Sequence, residues 1–204
     1  DGSPVQPSPR QVLKAQVERA SELGYTPMMG SELEFYLLRE TYQEAWAQRY
    51  EELTPSVPYI LDYHILASTY DEDLIRQIRN GMHGSGIKVE NSKGECNLGQ
   101  HEIAFKYQDA LRTCDNHVIY KNGAKEIAAQ EGMALTFMAK YNEREGNSCH
   151  IHLSLRGTDG DIVFADDDRD GGRSELFDSF LAGVLATMRE FSYFFAPNIN
   201  SYKR

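Results

Sequence analysis

The chain has 204 residues, 41% hydrophobic and 25% charged, a composition that suits one large globular domain or two small ones. A formal net charge of −10 argues against a nucleic-acid partner, and no apolar run predicts a membrane span or a signal peptide. The three cysteines fall at unrelated spacings, which form neither a disulfide framework nor a CxxC site and favour a reduced, cytoplasmic setting.

The first half of the chain is predicted to contain one long strand between helices. Apolar residues recur at helical spacing over 9–24 and end at Gly24, and β-forming residues follow over 25–39. A short helix is predicted at 42–53. Another is predicted at 71–83, with Asp71 as its candidate N-cap.

The second half is predicted to contain two strands around a turn near Gly99, a long helix, two further strands and a last helix. Their expected ranges are 87–106, 107–131, 133–139, 149–156 and 174–195. The long helix is expected to bury a stripe that includes Leu111, Val118 and Ala128. This order of elements predicts a mixed α/β domain with a largely antiparallel sheet.

Two glutamates lie at metal-ligand spacing on the first predicted strand. Glu32 and Glu34 are two residues apart, so their side chains point to the same face of a strand. A solvated strand face is the alternative. The apolar residues Phe35, Leu37 and Leu38 follow directly, whereas a solvated face would continue with polar residues.

A second pair of glutamates flanks a Gly-Gln turn. Glu95 and Glu102 would come to one side of that hairpin, and Glu90 adds an acid on the incoming strand. Taken alone, the pattern fits a surface hairpin with scattered charge better than a site. Carboxylate clusters with little cation nearby repel one another unless a divalent metal neutralises them.

Two histidines share one face of a later strand. His150 and His152 are two residues apart, with Ile151 and Leu153 expected on the other face. A lone histidine is more often a packed or surface residue than a ligand, but a pair on one face favours ligands or phosphate donors. Oxygen-rich ligands with one imidazole suit Mg²⁺ or Mn²⁺ better than zinc. The sequence contains neither a GxxxxGK[ST] nor a GxGxxG phosphate loop.

In this order, these residues resemble the glutamine synthetase family. That family carries an E-x-E strand, an E-(x)6-E segment with Gly-Gln, an H-x-H strand and an N-S-Y-K-R segment. The matching residues are Glu32/Glu34, Glu95/Glu102, His150/His152 and Asn200 to Arg204. Asp1-Gly2 and Pro9-Arg10 also resemble the usual start of its catalytic domain.

The resemblance covers nearly the whole chain. It implies that 1–204 is the amino-terminal portion of a glutamine synthetase-type catalytic domain, without the family's small amino-terminal domain and carboxy-terminal remainder. The implied fold is α+β, a curved, largely antiparallel sheet that forms part of a barrel, with flanking helices. The family's assembly implies a homo-oligomer, usually of twelve subunits.

The resemblance also implies roles for matching residues. It places a first metal ion on Glu34, Glu95 and Glu102, and a second on Glu32 and His150, with a further ligand after Arg204. Positions near ATP correspond to Glu90, Tyr107, His152 and Ser154. Positions that bind glutamate correspond to Glu145, Gly146 and Arg204, and Arg204 is also expected to stabilise negative charge during catalysis.

The chain departs from the family pattern before the first histidine. The family usually has N-G-S-G-M-H, whereas this chain has Glu145-Gly146-Asn147-Ser148-Cys149-His150, so a glutamate replaces an asparagine that helps hold the substrate. The segment before Glu95 also lacks a common histidine. These features resemble the branch that ligates amines other than ammonia, such as polyamines or ethanolamine.

The implied activity is ATP-dependent ligation of an amine or ammonia to the γ-carboxylate of glutamate, through a γ-glutamyl phosphate and with two Mg²⁺ or Mn²⁺ ions per site. Two alternatives stay open from the sequence. One is a catalytically inactive homologue that binds a metabolite or regulates another protein. The other is a metal-dependent hydrolase unrelated to the family.

Overall fold

The computed structural model describes residues 2–60 and 62–204, so the part of the predicted domain start that falls on Asp1 lies outside the described residues. The chain forms two compact units. The first contains the residues up to Gly30, Tyr107–Asp115 and His152–Pro197. The second contains Ser31–Lys106, Asn116–Ile151 and Asn198–Arg204.

The described residues form six α-helices and six strands. The helices are α1 (Pro9–Glu22), α2 (Tyr42–Ala47), α3 (Ile65–Ser68), α4 (Glu72–Gly84), α5 (Ala110–Gln130) and α6 (Glu175–Phe195). The strands are β1 (Tyr25–Leu38), β2 (Val89–Gly94), β3 (Gln100–Phe105), β4 (Gln108–Asp109), β5 (Ala134–Thr136) and β6 (Cys149–Gly157). Short 3-10 helices span Thr69–Asp71 and Ile199–Lys203.

Strand β1 is the centre of the sheet. It pairs antiparallel with β3, β4 and β5, and it also pairs with β6, while β2 pairs antiparallel with the other side of β3. The predicted α+β fold, with a largely antiparallel sheet and flanking helices, is confirmed. Among the described residues, no helix is both long and apolar enough to cross a membrane.

The main hydrophobic core lies in the second unit, on one face of β1. Phe35 and Leu37 are fully buried there with Ile103 of β3, Ile78 of α4 and Tyr120 of α5. Each such side chain contributes about 1.5–3 kcal/mol by leaving water. Because side chains alternate along a strand, this burial turns Glu32, Glu34 and Tyr36 to the opposite face. The core therefore fixes which face of β1 presents the carboxylates.

The first unit is held by its own contacts. Arg10 of α1 makes a bidentate ion pair with Asp115, with both N–O distances 2.9 Å. Phe164 packs edge-on against Phe177 near the start of α6. The Ser174 hydroxyl caps α6 by accepting a hydrogen bond from the Phe177 backbone N–H.

One predicted helix end is wrong, and one predicted N-cap is correct in position but not in its side-chain bond. Helix α2 ends at Ala47 rather than at 53, because Arg49, Tyr50 and Glu52 adopt positive φ angles that a helix cannot contain. Asp71 precedes α4 but does not cap it with its side chain. Its carboxylate is buried and instead accepts a hydrogen bond from the Ser56 hydroxyl at 2.6 Å.

The predicted stripe of α5 is wrong at Val118, which is exposed. The buried stripe is Tyr120, Ala124 and Ala128, four residues apart. Two residues turn a helix by about 200°, so Val118 falls on the side opposite to Tyr120. Strand β5 is shorter than the predicted 133–139, because Asn147 takes the carbonyls of Met138 and Ala139 as hydrogen-bond acceptors.

Candidate active site

Three glutamates of the second unit converge on one point. Glu34 of β1 lies directly opposite Glu102 of β3 in the antiparallel register. Glu95 follows β2, and its backbone N–H donates to the Gln100 carbonyl at 2.9 Å, which closes the hairpin between β2 and β3. All three residues are buried, and one carboxylate oxygen from each lies within 4.8 Å of the others.

A second group shares one of these residues. Glu32, Glu102 and His150 also offer ligand atoms within 4.8 Å of one another. His150 is exposed, and its Nδ1 lies 3.4 Å from a carboxylate oxygen of half-buried Glu32. The structure thus brings the five predicted metal ligands into two groups joined at Glu102. Their role in metal binding stays a prediction.

The buried acids disturb one another electrostatically. Burial, and then the negative charges of Glu34 and Glu102, raise the pKa of Glu95 to about 7. Burial alone would lower the pKa of neighbouring Lys93, but the hydrogen bond and charge of Glu102 outweigh it and raise that pKa. The Lys93 ammonium lies 2.6 Å from Glu102 Oε1. The expectation of little cation near the cluster is therefore wrong.

The residues fit a divalent cation. Three buried carboxylates within coordination distance form an oxygen-donor set of the kind that Mg²⁺ and Mn²⁺ prefer. Burial raises the pKa of Glu95 first and the charges of Glu34 and Glu102 raise it further, and a divalent ion would offset those charges. Among the described residues, no cysteine belongs to either group, which is unlike a closed zinc site.

Glu34 also anchors the loop before β6. Its carboxylate accepts hydrogen bonds from the Ser148 backbone N–H at 2.7 Å and the Ser148 hydroxyl at 2.5 Å. The Gln100 side-chain amide donates to it at 3.2 Å. Ser148 and Gln100 were not predicted as site residues. The Gly-Gln turn predicted only that Glu95 and Glu102 would come to one side of the hairpin.

The predicted substrate loop lies against the same network. Burial raises the pKa of Tyr36 to about 12, and its hydroxyl donates to the Glu145 carbonyl at 2.5 Å. The Glu145 side chain is exposed. A Cβ on Gly146 would lie 2.6 Å from the Ala139 carbonyl oxygen and 2.7 Å from Arg204 Cγ, so only glycine fits there. The structure therefore brings Gly146 and Arg204 together.

A cavity of about 270 Å³ lies within the first unit. Its walls include Tyr107, His152, Ser154 and Arg156, together with the segment Met28–Gly30. Its volume is near the lower limit of ligand pockets, about 300 Å³, and would hold part of a nucleotide. Three of the four residues predicted to lie near ATP line this cavity.

The fourth of these residues, Glu90, is exposed in the second unit and does not line the cavity. It falls where the register between β2 and β3 shifts, so a bulge displaces it from regular pairing. Arg156 was not predicted. It donates to the Tyr107 hydroxyl at 3.4 Å and to the Gly160 carbonyl at 3.2 Å. Ile151 and Leu153 are exposed, so the described residues leave that face of β6 uncovered.

The chain is similar to known proteins over nearly its whole length. Residues 6–204 match the family described as glutamine synthetase, catalytic domain. A γ-glutamylethanolamide synthetase, GlnA4, of Streptomyces coelicolor is 58% identical over 204 residues, which are 100% of this chain and 44% of the relative. A glutamate–isopropylamine ligase of a Pseudomonas species is 40% identical and matches 100% of this chain and 45% of its own length. The chain thus spans less than half the length of these relatives.

Solved structures show the same fold. A structure described as apo GmaS without ligand has a TM-score of 0.88 and 30% sequence identity, and the match covers 100% of this chain and 47% of that chain. A glutamine synthetase of Plasmodium falciparum has a TM-score of 0.83 at 23% identity, covering 100% of this chain and 44% of that chain.

Proposed function

The chain belongs to the glutamine synthetase family, and we propose that the protein containing it is an ATP-dependent ligase that joins an amine to the γ-carboxylate of glutamate. In this proposal the chain is the amino-terminal portion of the catalytic domain. The observation that carries the proposal is the pair of ligand groups joined at Glu102. Two adjacent sets of acidic ligands suit a reaction in which a phosphoryl group is transferred.

The two ligand groups support a proposed set of metal-binding residues. Glu34, Glu95 and Glu102 would hold one ion, and Glu32, Glu102 and His150 are the groups available to another. Bound Mg²⁺ or Mn²⁺ would neutralise the phosphate oxygens and align them with the attacking carboxylate. Glu34 would also position the loop before β6 through its two bonds from Ser148, so that a change at Glu34 affects both tasks.

The chemistry follows from the poor reactivity of a carboxylate. A γ-carboxylate oxygen of glutamate attacks the γ-phosphorus of ATP, the bond to ADP breaks, and γ-glutamyl phosphate forms. The amine nitrogen then attacks the acyl carbon, the carbon–oxygen bond to phosphate breaks, and the amine loses a proton. Arg204 would pair with negative oxygens of the substrate or of this intermediate, since its guanidinium matches both carboxylate and phosphate.

Nucleotide binding is assigned to the cavity in the first unit. Tyr107 offers an aromatic ring, His152 and Ser154 offer hydrogen-bonding groups, and Arg156 brings a positive charge to its wall. Glu90 stays in the proposal as an ATP-binding residue on the basis of its match to the family motif. The free cysteines support a reduced, cytoplasmic setting for the proposed enzyme. Its assembly is proposed to be a homo-oligomer, a dodecamer by analogy with the family.

The amine is proposed to be larger than ammonia. The relative with 58% identity is named for ethanolamine, and another relative is named for isopropylamine. Glu145 in place of the usual asparagine adds an exposed carboxylate to the substrate loop, where it would attract a cationic amine. Ethanolamine is therefore the substrate expected to react fastest, with polyamines, isopropylamine and ammonia as competitors.

A phosphate-release assay on the full-length protein tests this function. The protein is incubated with ATP, Mg²⁺, glutamate and each of ethanolamine, a polyamine, isopropylamine and ammonia. We expect phosphate release that requires both glutamate and an amine, with a γ-glutamylamide detected by mass spectrometry. Release with neither substrate would indicate a hydrolase, and a protein that binds ATP and glutamate without any release would indicate an inactive homologue.

Two variants link the activity to the site. Glu34→Ala removes a proposed metal ligand and is expected to abolish ligation, whereas Glu143→Gln changes an exposed glutamate on the neighbouring loop and should keep it. Near-normal turnover of Glu34→Ala at moderate Mg²⁺ concentration would contradict the assignment.

A further inference from the structure

One cation lies inside the acidic cluster. Lys93 Nζ is 2.6 Å from Glu102 Oε1 and 4.0 Å from Glu95 Oε1. Lys93 and Glu102 are direct partners in the register of β2 and β3, so the strand pairing holds their backbones opposite each other. The Glu102 side chain is only 2% exposed, and a carboxylate so buried is costly without a partner of opposite charge.

This contact competes with metal coordination. Glu102 is the residue common to both ligand groups, and the ammonium occupies one of its two oxygens. A metal ion on both groups needs those oxygens, and its positive charge repels an ammonium 2.6 Å from one of them. The Lys93 contact and a full complement of metal ions therefore disfavour each other at Glu102.

The lysine has a second partner within reach. Its Nζ is 5.8 Å from the centroid of the Tyr63 ring, a distance typical of a cation–π contact. The strand fixes the Lys93 backbone, while four side-chain bonds let the ammonium turn from the carboxylate towards the ring. The residue can thus change partner while the sheet stays as it is.

We propose that Lys93 is a tethered counter-ion that neutralises Glu102 in the metal-free protein and that a metal ion displaces. This inference rests on the metal site of the proposed function. Lys93 stabilises the cluster when no metal is bound, and it lowers the affinity of the site for metal. The effect of Lys93 is therefore measured on metal binding rather than on catalysis alone.

Mn²⁺ binding to the full-length protein without nucleotide tests the proposal. The protein is stripped with EDTA, exchanged into buffer and titrated with Mn²⁺, with free Mn²⁺ measured by electron paramagnetic resonance. Lys93→Met, which removes the charge and keeps the length, should bind Mn²⁺ about tenfold more tightly, since a hydrogen bond to a charged group no longer has to break. Lys93→Arg should stay near the wild type.

A matched control is Lys88→Met, which removes an exposed lysine just before β2. It separates the loss of the contact from the loss of one positive charge, and its Mn²⁺ affinity should stay within about twofold of the wild type, since exposed charges are well screened. In EDTA, Lys93→Met should unfold at a lower temperature than Lys88→Met, and saturating Mn²⁺ should reverse that order. Lys93→Gln provides a second neutral variant.

Unchanged or weaker Mn²⁺ binding by both neutral Lys93 variants would overturn the counter-ion role while leaving the metal site in place. If the wild type binds no Mn²⁺, the metal site itself is wrong, and the role of Lys93 is refuted with it. Equal tightening in Lys88→Met would show that only net charge matters, and it would also refute the proposal.

Discussion

Replacement of Glu34 by alanine should release the loop before β6 without unfolding the sheet. Ser148 donates two hydrogen bonds to this carboxylate, from its backbone N–H at 2.7 Å and its hydroxyl at 2.5 Å. Hydrogen bonds to charged groups contribute about 1.5 kcal/mol or more each, so the two together contribute about 3 kcal/mol. The bond from the Glu34 backbone N–H to the Ser148 carbonyl, at 3.2 Å, is retained.

This local loss has a measurable size. At about 1.4 kcal/mol per tenfold, 3 kcal/mol corresponds to roughly a hundredfold faster exchange of the Ser148 amide hydrogen. The overall stability should change much less, because removing Glu34 also relieves its repulsion of Glu95, whose pKa it helps to raise. Glu34→Gln keeps an acceptor oxygen without the charge and should give an intermediate increase, about tenfold.

Hydrogen exchange measured by mass spectrometry on the full-length, EDTA-treated protein resolves this loop. Peptides that cover Glu143 to His150 report the change, and peptides from β3 should exchange as in the wild type. Glu143→Gln, an exposed neighbour on the same loop, is the matched control and should not change the exchange rate. If Glu34→Ala leaves the Ser148 amide as protected as before, the two bonds do not hold the loop, and the reasoning fails.

Two further substitutions and one control test how the hairpin is supported. Gly99 has a φ of +60°, and a Cβ there would lie only 2.7 Å from the Leu37 carbonyl oxygen, so Gly99→Ala should destabilise the protein by about 2–4 kcal/mol. The control Gly84→Ala, at the open end of α4, should be neutral or stabilising. Thermal unfolding compares the two variants, and equal midpoints would count against the close approach at Gly99. Asp71→Ala removes the buried hydrogen-bond partner of His101, 2.7 Å away, and should cost about 1–3 kcal/mol by the same measurement, because a buried polar group then lacks its partner. An unchanged unfolding temperature would contradict this expectation.

Much of the fold follows from spacing alone. The alternation in β1 separates the buried Phe35 and Leu37 from the acidic side chains beside them. Regular periodicity is local, so it can be recognised from the sequence. The end of α2 and the pairing of Asp71 depend instead on backbone torsions and long-range partners, which no local pattern records.

The candidate site likewise combines features that follow from local patterns with features that depend on long-range contacts. Glu95 and Glu102 could be placed on one side of a hairpin, but the sequence did not reveal which cation would meet them, because that depends on register. Lys93 is the partner of Glu102 because of the register in which β2 pairs with β3. Likewise, Gly146 could be matched to the family pattern, but the reason for its glycine is the close approach of the Ala139 carbonyl oxygen and of Arg204, 58 residues further along the chain.

The contacts of Glu102 connect stability and function in this site. It faces Glu34 in the sheet, contributes to both ligand groups and carries the Lys93 ammonium. A group so buried must have a counter-charge in every state of the protein, because an unpaired buried carboxylate would cost several kcal/mol. Lys93 supplies that charge from within the fold, and the proposed metal ions supply it from solution. Metal binding at this site is therefore an exchange of one counter-charge for another, and its affinity depends on the strength of the lysine contact as well as on the geometry of the ligands.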